Sequence, residues 1–136
     1  MLVSSITKIN GKSEKIWNTL RSFDKVESYM PIITKTLVEG SGQGAKRICD
    51  LNMGNQSFKI KETLEVLDDP NHTLIVSVDD GPIQMRGMKF SFVVKELDDG
   101  GSEVIISTDV DNPMAAAFSD SIFALIGTGL KKLHEI

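Results

Sequence analysis

Apolar and polar residues alternate through most of the chain, and the period lengthens to three or four in two places. Leu2–Asn10 is rich in β-branched residues (Val3, Ile6, Thr7, Ile9) and reads as a strand. Gly11-Lys12 turns the chain, and Ser13 caps a helix in which Ile16, Leu20 and Phe23 share one face with Trp17 beside them. Asp24-Lys25-Val26-Glu27 has the form of a capping box with Asp replacing Ser/Thr; it opens a second short helix that Pro31 ends. Period two then takes over. Ile33–Glu39, Ala45–Asn52, Gln56–Leu67, Thr73–Val78, Arg86–Leu97 and Glu103–Val110 read as strands. The connections are turn chemistry: Gly40–Gly44, Met53-Gly54, Asp68–Asn71, Asp79–Pro82 and Asp98–Gly101. Such short links between successive strands predict an antiparallel meander. Asn112 caps a last helix with Pro113 in its first turn, and Met114, Phe118, Ile122, Leu125, Ile126, Gly129 and Leu133 form its apolar stripe. The class is α+β: a long antiparallel sheet curving around one long C-terminal helix.

The alternation also says which side chains meet. Along Gln56–Leu67 the inward set is Phe58, Ile60, Glu62, Leu64 and Val66, and Lys59 and Lys61 mark the solvated face. Glu62 is therefore an acid in the middle of an apolar face. Closing the hairpin at Asn52 and Asn55 puts Cys49 opposite Phe58 and Arg47 opposite Ile60, so Arg47 points the same way as Glu62, one diagonal step away. A buried carboxylate needs a partner, and an Arg fork is the best one. Two roles stay open for the pair: a structural ion pair that fixes register, or polar contacts that orient a ligand. The remaining strands aim Leu74, Val76 and Val78, then Met88, Phe90, Phe92 and Val94, then Val104, Ile106, Thr108 and Val110 at the same interior.

At 136 residues, with 40% hydrophobic and 25% charged residues, the chain reads as one soluble domain over 1–136. Aromatics are only 6%. Four of the six Phe (Phe58, Phe90, Phe92 and Phe118) fall on inward positions, with small or flexible residues such as Gly129 and Met88 among them; a concave sheet lined this way does not fill its own interior, so a hollow is expected there. The formal charge is −4, and basic residues are scattered singly or in pairs such as Lys46-Arg47 and Lys131-Lys132, so nucleic acid is not an expected partner. The lone Cys49 points to a reducing compartment, and neither a signal peptide nor a membrane-length apolar run is apparent, so a cytoplasmic location without stable membrane insertion is expected.

Other chemistry is thin. Gly40–Gly44 meets neither the dinucleotide nor the Walker spacing, and strand follows it. His72 and His134 lack ligand spacing, the Asp pairs adjoin Gly or Pro in turns, and Cys49 has no neighbouring His, so no metal, cofactor or catalytic thiol is implied.

Particular residues carry a family resemblance. Glu39–Arg47 resembles the glycine-rich turn leading to an Arg in the polyketide cyclase/dehydrase-like proteins of the START-related (SRPBCC) superfamily. Glu62 followed by Leu67-Asp68-Asp69-Pro70 is similar to that family's glutamate strand and turn; Asp80-Gly81-Pro82, Gly101–Val104 and Phe123–Leu133 match further turns and the closing helix. The resemblance implies a helix-grip fold, seven strands gripping the C-terminal helix over a cavity. It also implies a small hydrophobic or amphipathic ligand, lipid- or polyketide-like.

The expected ligand site comprises Phe58, Ile60, Leu64, Val76, Val78, Met88, Phe90 and Phe92 on the sheet, with Phe118, Ile122 and Ile126 closing from the helix. Arg47 and Glu62 supply its polar contacts, and Asp79–Pro82 is a candidate gate. The same Arg47 and Glu62 would serve an aromatic polyketide cyclase or dehydratase, as carbonyl polariser and general base or acid. A third reading is a protein-interaction module like a chaperone co-factor, using the outer sheet face. The oligomeric state stays open.

Overall fold

The computed structural model describes residues 1–135. Its strands are β1 (Leu2–Ile9), β2 (Ile33–Glu39), β3 (Lys46–Met53), β4 (Gln56–Asp68), β5 (Thr73–Asp80), β6 (Lys89–Glu96) and β7 (Ser102–Asp109). Helix α1 (Ser13–Arg21) and a short 3₁₀ turn (Val26–Ser28) lie between β1 and β2, and α2 (Pro113–His134) follows β7. The second helix expected from the capping-box pattern is thus a single turn. Ser13 lies inside the first turn of α1 rather than capping it; Lys12 is the N-cap and gives no side-chain bond.

The seven strands form one antiparallel sheet in the order β1-β7-β6-β5-β4-β3-β2. From β2 to β7 it is the expected meander, and β1 returns to pair with β7 from Leu2↔Asp109 to Ile9↔Ser102. Register breaks at Lys61/Glu62, where β5 carries the extra residue Asp79, and at Leu64/Val66, where β4 carries Glu65, bend these strands, as bulges do, so the sheet curves. The second break reverses which residues face inward. Leu67, not Val66, sits opposite the buried Leu74, while Val66 pairs with Ile75 on the outer side and is 36% exposed. The expectation that Val66 points inward is corrected by this one extra residue.

The β3–β4 hairpin also closes differently. Gly54, with a φ of 63°, and Asn55 make the turn, and Met53 pairs with Gln56. Each β4 partner therefore moves by two residues from the expected register, placing Arg47 directly opposite Glu62 and Cys49 opposite Ile60. A shift of two preserves the face, so the inward assignment of Arg47 and Glu62 survives.

Helix α2 begins as its sequence dictates: the Asn112 side chain accepts from the Ala115 N–H at 2.8 Å, with Pro113 in the first turn. Asn112→Ala is expected to lower stability by about 1 kcal/mol, read by urea unfolding. The buried face is Ser119, Ile122, Phe123, Ile126, Gly127, Gly129 and Leu130. This departs from the expected stripe: Met114 is 81% exposed, Leu125 and Leu133 are exposed as well, and Phe123 is fully buried against Phe90, edge to face with ring centres 5.9 Å apart. By length and composition α2 could cross a membrane, contrary to the sequence expectation, but its apolar side is the core helix packed on the sheet. The other end of the core is held by α1, where Trp17 Nε1 donates to Asp69 at 2.8 Å and stacks on His72, and Arg21 binds the same carboxylate.

Candidate functional site

Where β3 and β4 face α2, the alternation brings two charged side chains into the core. Arg47 and Glu62 are each 6% exposed, and Arg47 Nε donates to Glu62 Oε1 at 2.8 Å. Arg47 Nη1 also donates to the Phe23 carbonyl at 3.0 Å, and its guanidinium carbon lies 4.1 Å from the centre of the Phe23 ring. Phe23 has a φ of 63°, a left-handed conformation costly for an aromatic residue. That conformation ends α1 and turns the Phe23 carbonyl into the guanidinium's reach. One side chain thus ties β3, β4 and the end of α1 together.

The electrostatics follow from burial. Desolvation works against the Arg47 charge, but the adjoining Glu62 carboxylate, together with Tyr29 and Cys49, outweighs it and holds the guanidinium above its ordinary pKa. Burial raises the Tyr29 phenol, opposed by the charge of Arg47. Burial likewise pushes the Cys49 thiol up to about 11, which keeps it protonated and unreactive at neutral pH.

The pair borders a cavity of about 50 Å³ between the sheet and α2. Of the expected ligand residues, Ile60, Val76, Phe90, Phe92, Ile122 and Ile126 line it together with Arg47 and Glu62. The others lie elsewhere. Leu64 and Val78 are packed in the core, Phe58 is half-buried towards the β3–β4 hairpin, and Met88 and Phe118 line a separate open cleft of about 500 Å³ between the β5–β6 loop and the start of α2. The remaining wall comes from Val26, Tyr29, Met30, Ile32 and Ile33 around the 3₁₀ turn, with Leu51 of β3 and Met85 of the β5–β6 loop. Leu51 shares strand parity with Arg47 and Cys49, so a legible signal existed for it. Ile33 opens β2, and the others sit in irregular segments without a period.

The expected hollow is therefore nearly closed. Its volume holds a few waters, against roughly 300–1,000 Å³ for a site taking a drug-sized ligand. Tyr29, Met30 and Met85 enter from segments the alternation could not orient.

Known proteins share this architecture and sequence. The profile of the family described as "Polyketide cyclase / dehydrase and lipid transport" matches residues 2–133. The chain belongs to this family. It is 30% identical to the abscisic acid receptor PYL10 of Arabidopsis thaliana over 129 residues, which is 89% of this chain and 70% of that protein. Against PYL7 of the same plant it is 30% identical and spans 59% of that protein's length. Among solved structures, the protein XoxI of Bacillus cereus superposes with a TM-score of 0.84 at 20% identity, covering 98% of this chain and 94% of that one. Ginseng major latex-like protein 151 of Panax ginseng gives 0.80 at 16% identity, covering 100% and 98%. The fold is the helix grip.

Proposed function

We propose that this protein binds and carries a small hydrophobic or amphipathic molecule, of lipid- or polyketide-like chemistry, between the sheet and α2. The observation that carries this is a partly enclosed, mainly apolar space whose wall holds an ion pair, the usual composition of a small-molecule site. Family membership supports it, as does a relative whose name makes it a receptor for a small molecule.

Binding requires the wall to yield, since about 50 Å³ admits no such ligand. Two flexible methionines, Met30 and Met85, are the side chains best able to move. Met85 rides on the β5–β6 loop, which begins at the Gly81-Pro82 of the expected gate and carries glycines with positive φ at Gly81 and Gly87. Met85→Ala is expected to cost about 2 kcal/mol without ligand and to enlarge the thermal shift that a small apolar ligand produces.

Native mass spectrometry and lipid extraction of the protein purified from its own host test the reading, alongside thermal shift across a lipid and aromatic panel. A co-purifying hydrophobic molecule and a shift with its relatives are expected. No retained molecule, together with no shift from any panel member, would sink the proposal.

A further inference from the structure

The charge carried by the cavity wall selects among hydrophobic ligands. Arg47 and Glu62 are the charged side chains lining the cavity, and at 2.8 Å they cancel each other. The rest of the lining is aliphatic, aromatic or methionine, with the Tyr29 phenol as the other polar group; among the described residues no lysine and no second arginine borders the space. Glu62 and the Phe23 carbonyl accept from Nε and Nη1 of Arg47, and the Tyr29 hydroxyl lies beside the guanidinium; the rest of its five N–H groups remain for an oxygen arriving in the cavity. A carbonyl or hydroxyl oxygen can accept from them without adding charge. A carboxylate meets a guanidinium that Glu62 has already neutralised. It would bring a net negative charge into a space of low dielectric, within a few ångströms of Glu62 itself.

We propose that the cavity accepts uncharged ligands bearing a carbonyl or hydroxyl oxygen and refuses carboxylates, with Glu62 as the residue that sets this preference. The inference rests on the binding function above. It predicts that abscisic acid, an acid, is not the ligand of this chain.

Backbone amide NMR titrations of the full chain with methyl hexyl ketone, octanol, octane and octanoate test it, at about pH 7.5, where octanoate is ionised. In the parent protein the ketone and the alcohol are expected to bind at least about tenfold more tightly than octanoate. Glu62→Gln leaves Arg47 unneutralised, so its preference is expected to reverse in favour of octanoate. The double variant Arg47→Met/Glu62→Leu removes both charges without leaving either one alone, and is expected to refuse octanoate and to lose its preference for the ketone over octane. Should Glu62→Gln fail to fold, the parent and the double variant carry the comparison. Octanoate binding as tightly as the ketone to the parent overturns the inference and leaves the binding function standing. If no probe perturbs the amides around the cavity, the binding function itself falls, and the inference with it.

Discussion

Arg47→Met is expected to lose about 3–5 kcal/mol of folding stability, read as the change in urea unfolding at neutral pH. The substitution keeps most of the volume and removes the charge, leaving the Glu62 carboxylate buried without its partner. It also removes the bond to the Phe23 carbonyl and the cation above the Phe23 ring. Phe23 then holds a left-handed backbone, worth about 1–3 kcal/mol of strain, without either of these contacts to Arg47. Arg47→Met/Glu62→Leu is expected to recover most of the loss, because an apolar pair replaces a buried ion pair at little cost when neither charge is left alone. A single variant within about 1 kcal/mol of the parent would show that the pair does not hold the fold together. The two roles left open for this pair are compatible. A pair that joins β3, β4 and the end of α1 is also a fixed polar corner on the cavity wall.

Arg47 and Glu62 show how much of the site was legible. Strand parity placed both on the inner face, and the assumed turn was wrong by a register shift of two, which moved partners without moving faces. Val66 shows the limit of the same method. A bulge adds one residue to β4, and every parity beyond it inverts. Nothing in Thr63–Leu67 marks that insertion locally, because both faces there offer an apolar residue. The helix stripe failed for a related reason. Apolar residues cover more than one side of α2, so spacing alone allowed a face containing Met114 and Leu133, whereas contact with the sheet selected Phe123 and Leu130.

The cavity's size was illegible because its fillers come from segments without periodicity. Tyr29, Met30 and Ile32 follow the 3₁₀ turn, and Met85 lies within the β5–β6 loop. Their direction is set by how those segments dock, which only the assembled fold decides. The expected hollow rests on the inward placement of Phe58, Phe90, Phe92 and Phe118 among small and flexible residues. In the structure Phe23 lies under Arg47 and Phe123 in the core, while only Phe90 and Phe92 of the four phenylalanines expected at the ligand site reach the cavity.

Gly129→Ala is expected to destabilise the protein by about 2–3 kcal/mol even though alanine is the better helix former by about 1 kcal/mol. A Cβ built on Gly129 falls inside the carbonyl oxygen of Tyr29, 2.6 Å from its carbonyl carbon and 3.0 Å from its Cα. These are backbone atoms, so no side-chain rotation relieves the collision; α2 or the segment after the 3₁₀ turn must move. Gly127 provides the control. There the added methyl meets the side chain of Thr7, its Cβ at 3.3 Å, its Cγ2 at 3.4 Å and its hydroxyl closer; a rotation of Thr7 moves the hydroxyl away, and a shift of a few tenths of an ångström answers the Cβ contact. Gly127→Ala is therefore expected to stay within about 1 kcal/mol of the parent. Urea unfolding of both variants separates the cases, and equal stability of the two would remove the close approach at Gly129 as a determinant of the fold. The displaced segment carries Tyr29 and Met30 into the cavity wall, so Gly129→Ala is also expected to alter ligand binding there while Gly127→Ala leaves it unchanged. A backbone contact at the helix would thereby set the shape of the cavity from outside it.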